Sequence, residues 1–80
     1  MKVLVVDDEK VNVELLNEYL KDEGYEVVVA NNGLEGISIL KENTDTSIIL
    51  LDRTMPIMGG LEFMEKMNEY PEFANIPIVM

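Results

Sequence analysis

The stretch that decides the fold runs from Ile48 to Gly60 and reads IILLDRTMPIMGG. Four apolar residues lead directly to the carboxylate of Asp52, and the Pro56 and Gly59–Gly60 that follow are typical of a turn. A short apolar run bounded by turn residues predicts a strand that is buried on both faces of a sheet. The stretch therefore places Asp52 at the carboxyl end of an interior strand, where open α/β sheets bind their ligands.

A second stretch ends in the same way. Lys2–Val6 is rich in β-branched apolar residues, predicts another strand, and stops at Asp7, Asp8 and Glu9. If the two strands are neighbours in the sheet, Asp7, Asp8 and Asp52 meet in one pocket. Like charges at such distances repel, so the pocket requires a cation or a bound proton. Carboxylate oxygens with no Cys or His nearby favour a hard ion such as Mg²⁺.

Length and composition limit the classes of protein to consider. Residues 1–80 are predicted to form one small domain, and 16 acidic against 6 basic side chains give a formal net charge of −10. This balance argues against binding to nucleic acid or to anionic membranes, and it favours cations and basic partners. The chain has no His, the commonest general base, and no Cys, which fits a reducing compartment. No apolar run approaches the ~18 residues of a membrane span, so we predict a cytoplasmic protein.

Strands and helices alternate along the chain. The predicted strands are Lys2–Val6, Glu26–Ala30, Ile48–Leu51 and Ile76–Met80. The first predicted helix begins near Lys10 or Val11 and stops at Gly24. The second follows the turn Asn31–Gly33, with Asn32 as N-cap, and stops before the polar loop Glu42–Thr46. The third begins after Gly60 and stops at Tyr70–Pro71. This βαβαβαβ order predicts a doubly wound, parallel α/β sheet with right-handed crossovers. Three helices cover the two faces of four strands poorly, so the sheet is expected to be incomplete.

The apolar spacing of each helix predicts a face that packs on the sheet. In the first helix the apolar stripe consists of Val11, Leu15, Leu16, Tyr19 and Leu20. In the second helix the core residues are expected to be Leu34, Ile37 and Leu40, with Ile39 beside them, and Gly36 is expected to mark close contact with the sheet. In the third helix Leu61, Met64 and Met67 share a face, with Phe63 adjacent, and are expected to fill the core.

Three of these segments together resemble the receiver domain of bacterial two-component response regulators. Val5–Glu9 resembles the family's acidic pair after the first strand, Leu51–Gly60 its phosphoacceptor loop, and Ile76–Met80 its fourth strand. The resemblance covers the whole chain in order. It implies a flavodoxin-like sheet with strand order 2-1-3-4-5, whose switch point lies between the first and third strands.

The resemblance also implies residue roles. Asp52 would accept a phosphoryl group from a histidine kinase, and the protein would not be an enzyme beyond catalysing its own phosphorylation and dephosphorylation. Asp8 and Asp52 would bind Mg²⁺ directly, Asp7 through water, and Thr54 through its backbone carbonyl. A divalent cation makes chemical sense here, because it relieves the repulsion between an anionic acceptor and an anionic phosphoryl donor.

The chain departs from the family pattern in several places. Arg53 replaces a residue that is usually apolar, and Gly59 stands where Asp or Asn is frequent. In the family, the switch Ser/Thr and the pocket Lys would follow Met80, so we expect the last helix-strand-helix of the family to be missing here. We therefore expect a truncated receiver domain whose open sheet is completed by self-association, through strand pairing or domain swapping.

Other functions stay open at this point. The main alternative is a receiver fragment or assembly unit that oligomerises through its open sheet and lacks signalling competence. A hydrolase of the haloacid dehalogenase type also uses an Asp after a strand, but it needs a second Asp where this chain has Thr54. A flavin-binding domain needs a hydroxyl-rich phosphate loop after the first strand, which the chain does not have.

Overall fold

The computed structural model describes residues 1–52 and 57–80. In that part of the chain the strands are β1 (Lys2–Val6), β2 (Glu26–Ala30), β3 (Thr46–Leu51) and β4 (Ile78–Val79). The helices are α1 (Lys10–Asp22), α2 (Gly33–Glu42) and α3 (Gly60–Met67), and a 3₁₀ turn, Pro71–Phe73, precedes β4. The predicted alternation of strands and helices is confirmed.

The bounds of two strands differ from the prediction. β3 begins at Thr46 rather than Ile48, and the Thr46 hydroxyl donates a 2.7 Å hydrogen bond to the carbonyl of Asn43. β4 is limited to Ile78–Val79, since these are the residues that pair with β3. A strand end depends on its neighbour in the sheet, which a local apolar pattern does not contain.

The four strands form one parallel sheet in the order β2-β1-β3-β4. This is the first part of the flavodoxin-like order, so the predicted fold class is confirmed. β1 lies in the interior, with Val6 opposite Ala30 of β2 and opposite Leu51 of β3. Because the chain goes from β1 to β2 and then returns to β3 on the other side, a crevice forms at the carboxyl ends of β1 and β3.

The two faces of the sheet are covered unequally. On one face α2 and α3 enclose the larger core, which includes Leu4, Val6, Ile49 and Phe63, all with 0% exposure. On the other face α1 covers a smaller cluster of apolar residues from β1, β2 and β3. Leu50, which points to this second face, is only half-buried. The prediction that three helices cover four strands incompletely is therefore confirmed for the described residues.

The prediction of which apolar residues of α1 face the sheet was only partly correct. Leu16 and Leu20 face the sheet, together with Val13, which the prediction had left out. The remaining members, Val11, Leu15 and Tyr19, are 63%, 62% and 64% exposed. The apolar residues of α1 form two stripes, and the rotation of the helix about its axis decides which stripe faces the sheet.

Two further core predictions were wrong for the same reason. Leu34 of α2 is 56% exposed, although Ile37 and Leu40 are buried as expected. In α3 the buried side chains are Phe63 and Met67, whereas Leu61 is 65% exposed and Met64 39% exposed, so these two do not fill the core.

Glycines allow the close approach of α2 to the rest of the molecule. A Cβ atom at Gly36 would lie 2.9 Å from a ring carbon of Phe63 and 3.2 Å from a methyl group of Val6. The predicted close contact at Gly36 is therefore confirmed, and it lets α2 pack directly on β1 and α3. Asn32 is the N-cap as predicted, because its side chain accepts a 2.8 Å hydrogen bond from the Glu35 amide.

The end of α1 also follows the prediction. Gly24 has a φ of +90°, in the left-handed region that favours glycine. Its amide donates to the carbonyl of Lys21, and the amide of Tyr25 donates to the carbonyl of Leu20, which is the Schellman pattern of helix ends. None of the helices in the described part of the chain is long and apolar enough to cross a membrane.

Candidate functional site

The backbone of β1 and β3 carries two aspartates to the same edge of the sheet. The amide of Asp7 donates a 3.0 Å hydrogen bond to the carbonyl of Ala30, and the amide of Asp52 donates a 2.8 Å hydrogen bond to the carbonyl of Val6. Each aspartate is thus the first residue beyond its strand and is still fixed to the neighbouring strand. This anchoring fixes the backbone positions of both aspartates at the switch point of the sheet.

Three carboxylates converge at this edge. One carboxylate oxygen from each of Asp7, Asp8 and Asp52 lies within 4.8 Å of the others. Asp7 is buried with 8% exposure, Asp52 is half-buried, and Asp8 is exposed. The predicted meeting of these three side chains is therefore confirmed, and the cluster is open to solvent on the side of Asp8.

The start of α1 orients the buried member of the cluster. An oxygen of Asp7 accepts a 2.8 Å hydrogen bond from the amide of Glu9, which holds the carboxylate against the helix N-terminus. The N-cap position belongs to Glu9 and no acidic residue lies in the first turn of α1. Asp8 is therefore not the N-cap residue, and its carboxylate remains at the open side of the cluster.

The chemistry of the cluster fits a hard divalent cation. Among the described residues, no lysine or arginine forms an ion pair with Asp7 or Asp8. Three carboxylates in such close proximity supply only oxygen donors, which Mg²⁺ prefers, and a divalent charge would offset their mutual repulsion. The predicted fourth ligand, the backbone carbonyl of Thr54, lies outside the described residues, as do Arg53, Met55 and Pro56.

An apolar cavity of about 240 Å³ adjoins the cluster on the α1 side of the sheet. Asp7 and Asp52 form its polar end, and the rest of its lining comes from apolar residues of β1, α1, β3 and the chain around β4: Val5, Leu16, Leu50, Leu51, Val79 and Met80. Sequence reasoning missed this cavity. The only available signal was the expected shortage of helices on the sheet, which does not say where the gap lies.

Fold and cluster together define a class of protein, a doubly wound α/β domain with an acidic pocket where the strand order reverses. The chain belongs to the family of response regulator receiver domains, whose sequence model matches residues 3–80. Receiver domains are signalling modules of two-component systems rather than classical enzymes.

Individual relatives support the assignment of the chain to this family. Chemotaxis protein CheY1 of Helicobacter pylori is 38% identical over 81 residues, which cover 100% of this chain and 65% of CheY1. The homolog of the transcriptional regulatory protein CpxR from Haemophilus influenzae is 38% identical over 79 residues, covering 99% of this chain and 33% of that protein. The solved structure of the chemotaxis response regulator CheY4 of Vibrio cholerae matches with a TM-score of 0.90 at 32% identity, covering 96% of this chain and 63% of CheY4. The chain therefore spans less than two thirds of the length of these relatives.

Proposed function

We propose that the chain accepts a phosphoryl group on Asp52, with Mg²⁺ held by Asp7, Asp8 and Asp52. The observation that carries this proposal is the convergence of the three carboxylates within 4.8 Å at the carboxyl ends of β1 and β3. Asp8 and Asp52 are the proposed direct ligands, Asp7 acts through water, and the backbone carbonyl of Thr54 completes the set. The family of the chain supports the same assignment.

Asp52 is the nucleophile in this proposal. One of its carboxylate oxygens bonds to phosphorus while the bond between phosphorus and the donor's leaving atom breaks, which yields an aspartyl phosphate. The hydrogen bond from the Asp52 amide to the Val6 carbonyl anchors the main chain of the nucleophile to β1. Mg²⁺, when bound, neutralises charge on acceptor and donor alike. The chain thus catalyses its own phosphorylation and dephosphorylation but turns over no separate substrate.

Acetyl phosphate tests the proposal without a partner protein. Phosphorylation of the chain is measured by intact-mass spectrometry, with Mg²⁺ and with EDTA. We expect a single added phosphoryl group that requires Mg²⁺ and is absent in Asp52→Asn. The matched control is Asp45→Asn, which removes the same charge at the opposite edge of the sheet and should leave labelling unchanged. Equal labelling of Asp52→Asn and the native chain would contradict the proposal.

The phosphoryl donor in this proposal is the phosphohistidine of a histidine kinase. An exposed apolar surface beside the acidic cluster supports a protein donor: Val11, Leu15 and Tyr19, which we name the α1 stripe, follow one another at i, i+4 and i+8 just after Asp8. The stripe extends about 12 Å along the helix, enough to pack against a helix of a partner. In the transfer, the bond between phosphorus and the histidine nitrogen breaks as the bond to Asp52 forms.

Substitution in the α1 stripe separates docking from chemistry. With a panel of autophosphorylated histidine kinases, Leu15→Ser should slow transfer from the active kinase about tenfold, equivalent to about 1.4 kcal/mol. Labelling by acetyl phosphate should not change, since Leu15 does not belong to the acidic cluster. The control is Leu34→Ser, an exposed leucine on the opposite face of the sheet. Equal slowing by both variants would speak against docking on α1.

A second candidate function is assembly, favoured by the uncovered part of the sheet. Val79 in β4 is 52% exposed, and the neighbouring cavity of about 240 Å³ is lined mostly by apolar side chains. We propose that copies of the chain associate at this place by strand pairing or domain swapping. Light scattering at high micromolar concentration should show a mass above that of the monomer, and Val79→Lys should reduce it while Leu61→Lys on α3 should not. A monomeric mass at every concentration tested would exclude assembly.

The remaining predictions from composition concern location and other ligands. A net charge of −10 supports the prediction that the chain by itself binds neither nucleic acid nor anionic membranes. A cytoplasmic location is proposed because no apolar run approaches the ~18 residues of a membrane span. Fractionation of the source cells tests the location directly.

A further inference from the structure

A groove between α2 and α3 plays no part in the proposed phosphoryl chemistry. Its volume is about 470 Å³, larger than the cavity of about 240 Å³ beside the acidic cluster. The residues that line it are Leu34, Met58, Glu62, Glu65, Lys66 and Glu69, and we name it the α2–α3 groove. It lies on the opposite face of the sheet from α1, away from both the α1 stripe and the uncovered β4 region.

The apolar part of the α2–α3 groove comes from two segments that touch each other. The amide of Gly33 donates a hydrogen bond to the carbonyl of Ile57, and a Cβ atom at Gly33 would lie 2.6 Å from the carbonyl oxygen of Met58. Glycine at this position therefore lets the start of α2 lie directly against Met58. As a result Leu34, 56% exposed, and the half-buried Met58 both line the groove.

The polar wall of the groove is acidic. Glu62, Glu65 and Glu69 lie at i, i+3 and i+7, so they share one side of α3 and the turn after it, over about 10 Å. Lys66 pairs with Glu69 at 3.3 Å. No other ion pair within the described ranges, 1–52 and 57–80, involves this wall, so Glu62 and Glu65 keep their charges facing solvent.

We propose that the α2–α3 groove binds a basic amphipathic helix of another protein. An apolar side chain of that helix packs on Leu34 and Met58, and lysine or arginine side chains spaced by one helical turn pair with Glu62 and Glu65. Charge complementarity selects this occupant. A phosphate-bearing lipid or nucleic acid would meet the acidic wall, and the helices α1, α2 and α3 of a second copy each contain more acidic than basic side chains. The mode is that of a helix laid in a groove, with apolar anchors and a charged rim.

A synthetic peptide tests the α2–α3 groove directly. The probe is a fluorescein-labelled peptide of about 14 residues, about 21 Å long as a helix, with leucine on one face and arginine at every third or fourth position beside it. Its affinity for the 80-residue chain is measured by fluorescence anisotropy. The experiment uses the unphosphorylated chain with EDTA present, so its result does not depend on the proposed function of Asp52.

Paired variants separate binding in the groove from attraction to an acidic protein. Glu62→Gln with Glu65→Gln should weaken binding about tenfold. Glu14→Gln with Glu18→Gln on α1 makes the same change in net charge, and it should weaken binding less than about twofold, as expected of charges far from the contact. Equal weakening by both pairs would mean that only net charge attracts the peptide, and it would overturn the proposal.

A third variant tests the apolar part of the α2–α3 groove. Leu34→Ser should weaken peptide binding about fivefold. Leu34 is exposed, so the fold should persist, and far-UV circular dichroism checks that it does. Unchanged peptide affinity in Leu34→Ser would overturn the amphipathic mode of binding. If Leu34→Ser instead lowers the mass in light scattering while the native chain ignores the peptide, the occupant is a second copy and the proposal fails.

Discussion

The two edges of the sheet treat their carboxylates in opposite ways. At the amino-terminal edge the ammonium group of Lys2 lies 2.9 Å from an oxygen of Asp45 and 3.6 Å from an oxygen of Glu26. At the carboxyl-terminal edge three carboxylates converge, and in the described part of the chain no lysine or arginine pairs with Asp7 or Asp8. At the amino-terminal edge, Lys2 therefore neutralises the nearby carboxylates. At the carboxyl-terminal edge, the three carboxylates supply the oxygen donors of a site for a cation from solution.

At the amino-terminal edge, the interactions of Lys2 connect parts of the fold. Lys2 also donates a 2.9 Å hydrogen bond to Asn43, so one side chain links β1 to the loop before β3. The Lys2 side chain is only 12% exposed, although its partner Asp45 is 73% exposed. The hydrogen bond with Asp45 raises the pKa of Lys2, and the same bond lowers the pKa of Asp45. Both charged forms are therefore favoured in the folded state.

The largest expected effect concerns Mg²⁺ at the carboxyl-terminal edge. Asp8→Asn should weaken Mg²⁺ binding about 30-fold, which corresponds to about 2 kcal/mol, because it removes one of the proposed direct ligands and its charge. Isothermal titration calorimetry measures the change. Asp45→Asn removes the same charge at the amino-terminal edge and should leave Mg²⁺ affinity unaltered. If both variants bind Mg²⁺ equally well, the two edges do not differ as we describe.

The second effect is on stability in the absence of metal. Two unit charges 4.8 Å apart repel by about 1 kcal/mol in water, so Asp8→Asn should raise the free energy of unfolding by up to about that amount. Urea unfolding in EDTA checks this. Saturating Mg²⁺ should reverse the order, since the native chain then gains more from binding. A destabilised Asp8→Asn variant in EDTA would show that the cluster is not under repulsion.

The third effect has the opposite sign and lies at the other edge. Lys2→Met keeps the length of the apolar stem but removes the ion pairs with Asp45 and Glu26. We expect the midpoint of thermal unfolding to fall by a few degrees, because these partners are exposed and each pair is worth little. Lys66→Met removes the exposed pair with Glu69 and serves as the control with a smaller fall. An unchanged midpoint in Lys2→Met would show that the ion pairs of Lys2 do not stabilise the fold, so the two edges would not differ in this respect.

The smallest effect is on the pH dependence of stability. The pKa of Asp45 is lower in the folded chain than its ordinary value, so its contribution is present above that value and is lost as pH falls through the folded pKa. The pKa of Lys2 is raised, so its contribution to stability is fully present below its ordinary pKa and is lost only as pH rises through the raised pKa of the folded chain. Asp45→Asn should therefore be slightly less stable than the native chain near neutral pH, and this difference should shrink as pH falls below about 4. Urea midpoints from pH 2 to 7 measure the difference, which salt should reduce. A difference that stays constant or grows as pH falls from about 4 to 2 would contradict this assignment.

The acidic cluster was predictable because it depends on short stretches of sequence. Asp7 and Asp52 each follow an apolar strand directly, and parallel strands bring their carboxyl ends to one edge. The resemblance to receiver domains added the strand order that makes β1 and β3 neighbours. The same reasoning did not find the Lys2 network, because Lys2 and Asp45 are 43 residues apart and neither belongs to a motif.

The packing of the helices was less predictable. Leu34, Leu61 and Tyr19 fit apolar periodicity as well as their buried neighbours do, yet all three are exposed. Periodicity defines a set of residues on a helix but not the rotation of that helix on the sheet. Contacts such as Gly36 against Phe63 and Val6 set the rotation of α2, and they join segments far apart in the chain.

The sequence alone determined the alternation of strands and helices, the parallel sheet, the caps at Asn32 and Gly24, and the positions of three aspartates at strand ends. These features depend on local backbone preferences and on the two-residue and 3.6-residue periods of strands and helices. Only the tertiary structure decided which apolar stripes are buried, where the sheet stays uncovered, and how Lys2 neutralises the opposite edge. Those outcomes depend on distances between residues that are remote in sequence, and such distances exist only once the chain has packed.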